Sequence, residues 1–114
     1  MKAYHVHAHP VPSDGNCYST GAHLDPYNRG EKPPCDLSQP QTCQVGDLSG
    51  KHAPAFGVLD EPFEVEYPDY YLSTDPKNKA YFGNLSVVIH APDSRRLNCG
   101  NFVPVPVGDG DKQA

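Results

Sequence analysis

The chain has 114 residues, enough for one domain around one core. Its formal net charge is −5 with the histidines neutral, and it has no Lys/Arg run, which argues against a nucleic-acid surface or an electrostatic membrane patch. Thirteen prolines and ten glycines exclude long helices, because proline lacks the amide donor and clashes inside a helix. In chain order, residues 4–9 predict a strand in which Tyr4, Val6 and Ala8 alternate with His5, His7 and His9. Pro10 and Pro12 end it, and residues 13–17 (SDGNC) form a turn. Residues 24–54 read as a long loop with almost no periodicity, a length that usually means function or cross-linking. Residues 63–73 (FEVEYPDYYLS) predict a strand broken at Pro68, and 73–81 are turn-rich. Residues 83–91 (GNLSVVIHA) are the best strand pattern, and a last strand is expected near Leu97–Val103. Residues 104–114 read as a mobile tail. The expected class is all-β with long loops carrying the chemistry, and Tyr70 and Tyr71 read as ordinary strand residues.

Cys17, Cys35, Cys43 and Cys99 contain no C-x2-C pair, so spacing does not support a thiolate zinc site. An even count in a short, loop-rich chain suits two disulfides and an oxidising compartment. Spacing alone leaves all three connectivities open. A local Cys35–Cys43 bridge fits the short loop that the two flank, and Cys17–Cys99 would then tie the ends of the chain together. Closing a loop of that length contributes roughly 3–5 kcal/mol in the chain-entropy description. Asn84-Leu85-Ser86 is an N-glycosylation triplet of the kind that also arises by chance. No apolar run reaches transmembrane length, and residues 1–10 lack the apolar centre of a signal peptide. The expectation is that an exported form had its leader removed or left out.

On a strand, residues two apart share a face, so His5 and His7 point together and can reach one metal ion. His9 would join them only if the strand continued past Pro10, and it reads as a bystander. His23 follows a turn in "STGAHLDP", and His90 ends the apolar strand "SVVIHA". Neutral imidazoles suit copper, zinc, iron and nickel, and a four-nitrogen tetragonal set favours Cu(II). A His-x-His pair by itself is also met as two half-exposed strand histidines.

The blocks "HVH", "GAHLDP", "VGDLSGKH", "SVVIHA" and "SRRLNCGNF" occur in that order. Together they resemble the copper/zinc superoxide dismutase family, and most closely its secreted fungal copper-only branch. The resemblance runs from about Tyr4 to Phe102. It implies an immunoglobulin-like Greek-key β-barrel or sandwich over residues 1–103, with an extracellular or cell-surface location. It implies copper held by His5, His7, His23 and His90, with His23 at the position that bridges copper and zinc in two-metal relatives. Cys17 and Cys99 match the family's disulfide, and Cys35 and Cys43 fall where the copper-only branch has another. Arg96 matches the arginine that attracts superoxide, a task suited to a fixed guanidinium beside a metal. Alternation turns its neighbour Arg95 to the surface.

Three departures from the family pattern shape the expectation. Of the zinc ligands only Asp47 has a match, while the two histidine positions read Glu31 and Gln44, so zinc is expected to be absent. Two readings stay open: Glu31 or Asp47 hydrogen-bonds the second ring nitrogen of His23, or Glu31 is an exposed loop charge. His52 reads as a solvated loop residue. Only "APDSR" separates His90 from Arg96, so the metal should sit in an open site. The family domain begins with about three strands before the His-x-His strand, and here only Met1–Ala3 stand there. A fragment of a longer secreted protein is the favoured explanation, ahead of pairing with another subunit or an incomplete sandwich stapled by disulfides.

The resemblance thus implies copper-dependent disproportionation of superoxide to dioxygen and hydrogen peroxide, with Arg96 and His23 in catalytic roles. The rival is a non-catalytic module that binds or delivers copper, against which Arg96 counts, since a copper store has no use for an anion guide. A purely structural β-domain with incidental histidines is the lesser rival. Superoxide is the expected partner, without nucleic acid or membrane insertion, and as a monomer or an oligomer of undetermined size.

Overall fold

The computed structural model describes residues 2–57 and 62–105. Among these residues, three strands form one antiparallel sheet in the order β1 (Ala3–His7), β2 (Ser86–His90), β3 (Arg96–Asn101). The chain is all-β in class; the described residues also hold short 3-10 turns at Cys17–Thr20 and Pro40–Thr42 and a short helix, α1 (Leu48–His52). The strands predicted at 4–9, 83–91 and near Leu97–Val103 are present, each slightly shorter than expected. β1 stops at His7, where its pairing with Ser86 ends. β2 starts at Ser86 because Leu85 closes a turn onto the Phe82 carbonyl.

Residues 63–73 form no strand, despite their alternation. Phe63 and Val65 are exposed and no neighbouring strand among the described residues pairs with them. Alternation marks a two-faced segment, but a strand also needs a hydrogen-bonded partner. The expected long loop of 24–54 contains α1, whose N-cap Asp47 accepts the Gly50 amide and whose last turn holds Lys51 and His52. An acidic cap and basic end are legible helix signals that the glycine and the brevity of the helix masked. Residues 106–114 of the expected tail lie outside the described residues.

The register decides the two faces. His5 stands opposite Val88, His7 opposite Ser86 and Ala3 opposite His90, so His5, His7 and His90 share one face. Tyr4, Val6, Val87 and Ile89 share the other. There Val6, Leu48 and Leu85 form a small core, joined by Tyr4, Leu24, Tyr67, Leu72, Phe82, Val87 and Phe102. Along β2 and β3 a bulge between Ile89 and His90 places Arg96, not Leu97, opposite His90. Such an extra residue re-aims the side chains beyond it.

The outer edge of β1 is closed by backbone from the long loop. Val6 N–H donates to the Gly46 carbonyl (2.8 Å), Gly46 N–H to the Leu24 carbonyl (2.9 Å), and Leu24 N–H to the Val6 carbonyl (2.8 Å). The three residues form a closed ring of hydrogen bonds. A Cβ on Gly46 would lie 2.7 Å from the Val6 carbonyl oxygen and 2.9 Å from that of Leu24, so only glycine fits. Two disulfides, Cys17–Cys99 and Cys35–Cys43, tie the loops to the sheet and to themselves.

A buried polar cluster fastens residues 69–72 to α1. Asp69 Oδ2 accepts from Lys51 Nζ and from His52 Nε2, both at 2.6 Å, while Oδ1 accepts the Tyr71 and Leu72 amides. His52 stacks on Tyr67 at 3.9 Å, and the Tyr67 hydroxyl meets that of Tyr4 at 2.7 Å. His52 is therefore not the solvated loop residue that its position beyond the "VGDL" block suggested. Its place on α1 turns it toward Asp69, a partner 17 residues away in sequence.

Two outcomes follow from this packing. Gly46→Ala should destabilise the fold by about 1–3 kcal/mol, the usual cost of overpacking, measured by urea denaturation. Burial alone would raise the Asp69 carboxyl, but the His52 and Lys51 side chains and the Leu72 and Tyr71 amides outweigh it and hold it at about 2. A carboxyl depressed below its unfolded value of ~3.9 stabilises the fold above that value, and loses the contribution as pH falls toward 2. Stability should therefore drop by about 2 kcal/mol between pH 5 and 2 from this group, a drop missing in Asp69→Asn.

Candidate metal centre

The imidazoles of His5, His7, His23 and His90 converge, with one nitrogen from each lying within 4.8 Å of the others. β1 supplies the first two on one face and β2 supplies His90 at its end. His23 is brought in by the segment that hydrogen-bonds along the edge of β1, where it bridges to His7 and Leu24 pairs with Val6. The rings of His5 and His23 stack at 3.9 Å and those of His7 and His90 at 5.4 Å. His9 is exposed and stands apart.

Surrounding acceptors decide which nitrogen each ring presents. A carbonyl oxygen can only accept, so the nitrogen facing it carries the proton. His7 Nδ1 donates to the Gly21 carbonyl (2.8 Å) and His90 Nδ1 to the Ser94 carbonyl (3.2 Å). His23 Nδ1 donates to Gln44 Oε1 (2.8 Å), and the Gln44 amide is itself oriented by its Nε2 donating to Asp25 (3.3 Å). These three rings therefore present unprotonated Nε2 atoms. His5 is reversed: its Nε2 lies 3.5 Å from Asp47 Oδ1, and its Nδ1 is buried without a hydrogen-bond partner among the described residues.

This arrangement fits a bound cation. Two neutral rings present Nε2 lone pairs to each other at 3.3 Å, between His7 and His90, with both Nδ1 protons already committed. Lone pairs so close repel unless a proton or a metal ion lies between them. The orphaned His5 Nδ1 points to the same missing partner, since a buried nitrogen without a hydrogen bond is costly. Burial drives the His5 ring down to about 2, aided by His23, His90 and His7. Burial also lowers His7 to about 4 against the opposing Gly21 carbonyl, with His23, Arg96 and His90 adding to the lowering. His90 is lowered for the same first reason. Neutral imidazole is the form that binds a metal, and a nitrogen-only set suits copper.

The centre opens into a cavity of about 900 Å³ that His5, His23, His90, Tyr18, Glu31 and Arg96 help to line. Arg96 Nη1 donates to the Cys17 carbonyl and to Thr20 Oγ1, both at 3.0 Å, and its guanidinium lies 5.0 Å from the Tyr18 ring centroid. Arg95 is exposed and pairs with Asp93 instead. Glu31 lies 3.7 Å from His23 Nδ1 and is largely solvent-exposed, whereas Asp47 faces His5. The residue that holds His23 is Gln44, which in the sequence stands out only as a replaced zinc-ligand position. An amide oxygen 21 residues away in sequence leaves no spacing signal.

No family model matches the chain. A cell-surface Cu-only superoxide dismutase of Arthroderma benhamiae is 48% identical over 125 residues, which cover 95% of this chain and 32% of that protein. Cell surface Cu-only superoxide dismutase 5 of Candida albicans is 41% identical over 108 residues, covering 95% and 44% respectively. The chain thus spans between about a third and a half of the length of these curated relatives. The solved Cu(II) structure of Candida albicans superoxide dismutase 5 has a TM-score of 0.76 at 40% identity, over 97% of this chain and 68% of that one. Sharing both sequence and fold with most of that solved domain, the chain belongs to the copper/zinc superoxide dismutase family, beside its fungal cell-surface members.

Proposed function

We propose that the chain carries the catalytic centre of a cell-surface, copper-only superoxide dismutase. The observation that supports this most is the set of four imidazoles aimed at one point, with His5 Nδ1 orphaned and two Nε2 lone pairs face to face. The reaction is 2 O2•− + 2 H+ → O2 + H2O2. Copper, when bound, supplies the one-electron acceptor for the first superoxide and the donor for the second.

The chain's own groups do the rest. His5, through Nδ1, and His7 and His90, through Nε2, are read as holding the metal in both oxidation states. Arg96 is read as the anion guide. Its Nη1 is anchored by Cys17 and Thr20, so the guanidinium is held beside the cavity rather than sweeping solvent. Local positive potential there opposes the net charge of −5, because an anion at close range responds to the nearest fixed charge. His23 is read as the proton-handling ligand: Gln44 keeps its proton on Nδ1, so Nε2 is the atom that takes up a further one. Zinc is not part of this reading, since Asp47 is committed to His5 and Gly50, and the amide of Gln44 to His23 and Asp25.

Offered copper and zinc together, the folded, disulfide-bonded chain should bind one copper and no zinc. Its Cu(II) electron paramagnetic resonance spectrum should show four nitrogens and change in His23→Ala. Zinc retained at unit stoichiometry would overturn the copper-only reading. In Arg96→Gln, kcat/KM for superoxide should fall about tenfold or more, with copper content and spectrum unchanged. Wild-type copper binding without turnover would instead favour a copper-binding or copper-delivering module.

A further inference from the structure

Lys51 is an unusual residue for a core this small. Its side chain is fully buried on α1, and its ammonium makes two bonds, one to Asp69 Oδ2 (2.6 Å) and one to the Val45 carbonyl (2.7 Å). Burial lowers the Lys51 ammonium, while Asp69 and Asp47 oppose that shift. A buried ion pair is weak support for stability, because apolar residues of similar volume often do as well or better. A charge placed here therefore points to something other than holding the core together.

What Lys51 grips is the turn that orients the metal ligands. Val45 lies between Gln44, whose Oε1 fixes His23, and Gly46, which closes the hydrogen-bond ring with Val6 and Leu24. Two residues on, Asp47 faces His5. Gln44 is held from its far end by Asp25, itself fixed by the Arg29 and Gly30 amides. The main-chain side of the same turn is held by Lys51. Asp69 is pinned in turn by His52 and by two backbone amides, so the ammonium has a fixed anchor.

We infer that Lys51, anchored by Asp69, is a positioning residue for the metal centre. It holds the Val45 carbonyl so that Gln44 keeps His23 in its Nδ1–H tautomer and Asp47 keeps facing His5. The inference rests on reading the four histidines as the copper site. Its first readout, however, needs no copper.

Imidazole 15N chemical shifts of the metal-free, disulfide-bonded chain report which His23 nitrogen carries the proton. In the wild type the Nδ1–H form should dominate. In Lys51→Met it should give way to a mixture of tautomers. Cu(II) affinity should then fall roughly tenfold with an altered paramagnetic resonance spectrum, as expected when the support of a metal ligand is disturbed. Gln44→Leu should produce the same changes, and the double variant Lys51→Met/Gln44→Leu should add nothing further. Asp69→Asn, which keeps an acceptor for the ammonium, should show a smaller change in the same direction and serves if Lys51→Met does not fold. A lower Tm with the wild-type His23 shifts and copper affinity in both variants would overturn the inference, leaving a structural clasp. Failure of the copper reading would show separately, as a wild-type chain that binds no copper while its His23 shifts still respond to Lys51→Met.

Discussion

The closed ring of three hydrogen bonds among Val6, Leu24 and Gly46 is the constraint on which the site depends. Each member has a functional neighbour: His5 and His7 flank Val6, His23 precedes Leu24, and Gln44 and Asp47 stand either side of Gly46. Three distant segments are thereby locked at backbone distance from one another. The ring also closes the edge of β1, which would otherwise present unpaired groups to solvent or to another chain. Its tightness leaves no room for a side chain at Gly46, so the geometry of the histidine cluster is tied to one residue's lack of a Cβ.

Around that frame the centre is built to be neutral and unsatisfied. The Gly21 and Ser94 carbonyls accept from the Nδ1–H groups of His7 and His90, the Gln44 amide oxygen accepts from that of His23, and His5 Nδ1 has no hydrogen-bond partner among the described residues. Burial and mutual repulsion keep His5 and His7 uncharged throughout the physiological range. A site that repels protons while presenting lone pairs has a built-in preference for a metal ion. The positive charge beside it comes from Arg96, whose direction is set by the bulge after Ile89.

The fold spends an uncommon share of its interior on polar groups. Among the described residues the core centres on Val6, Leu48 and Leu85, while Asp69, Lys51 and His52 form a polar layer linked to it through Tyr67 and Tyr4. Such a layer holds segments in one geometry because every member must find its partner. Two disulfides supplement it, joining β3 to the 3-10 turn that carries Cys17 and closing the loop before Gln44. Precision in the loops, rather than bulk in the core, is what the arrangement secures.

The sequence by itself determined the candidate set of converging histidines and the class of fold. Period-two alternation places His5 and His7 on one face, the apolar run of Val87–Ile89 delivers His90 at its end, and the order of the five blocks identifies the family. These are local or colinear signals. Only the tertiary structure decided which nitrogen each imidazole presents, that Gln44 rather than Glu31 or Asp47 holds His23, and that Arg96 rather than Leu97 faces His90. It also decided that residues 63–73, though they alternate, remain outside the sheet, and that His52 turns inward to Asp69. Each of those outcomes depends on a partner brought close through space, and spacing along the chain does not encode which partner arrives.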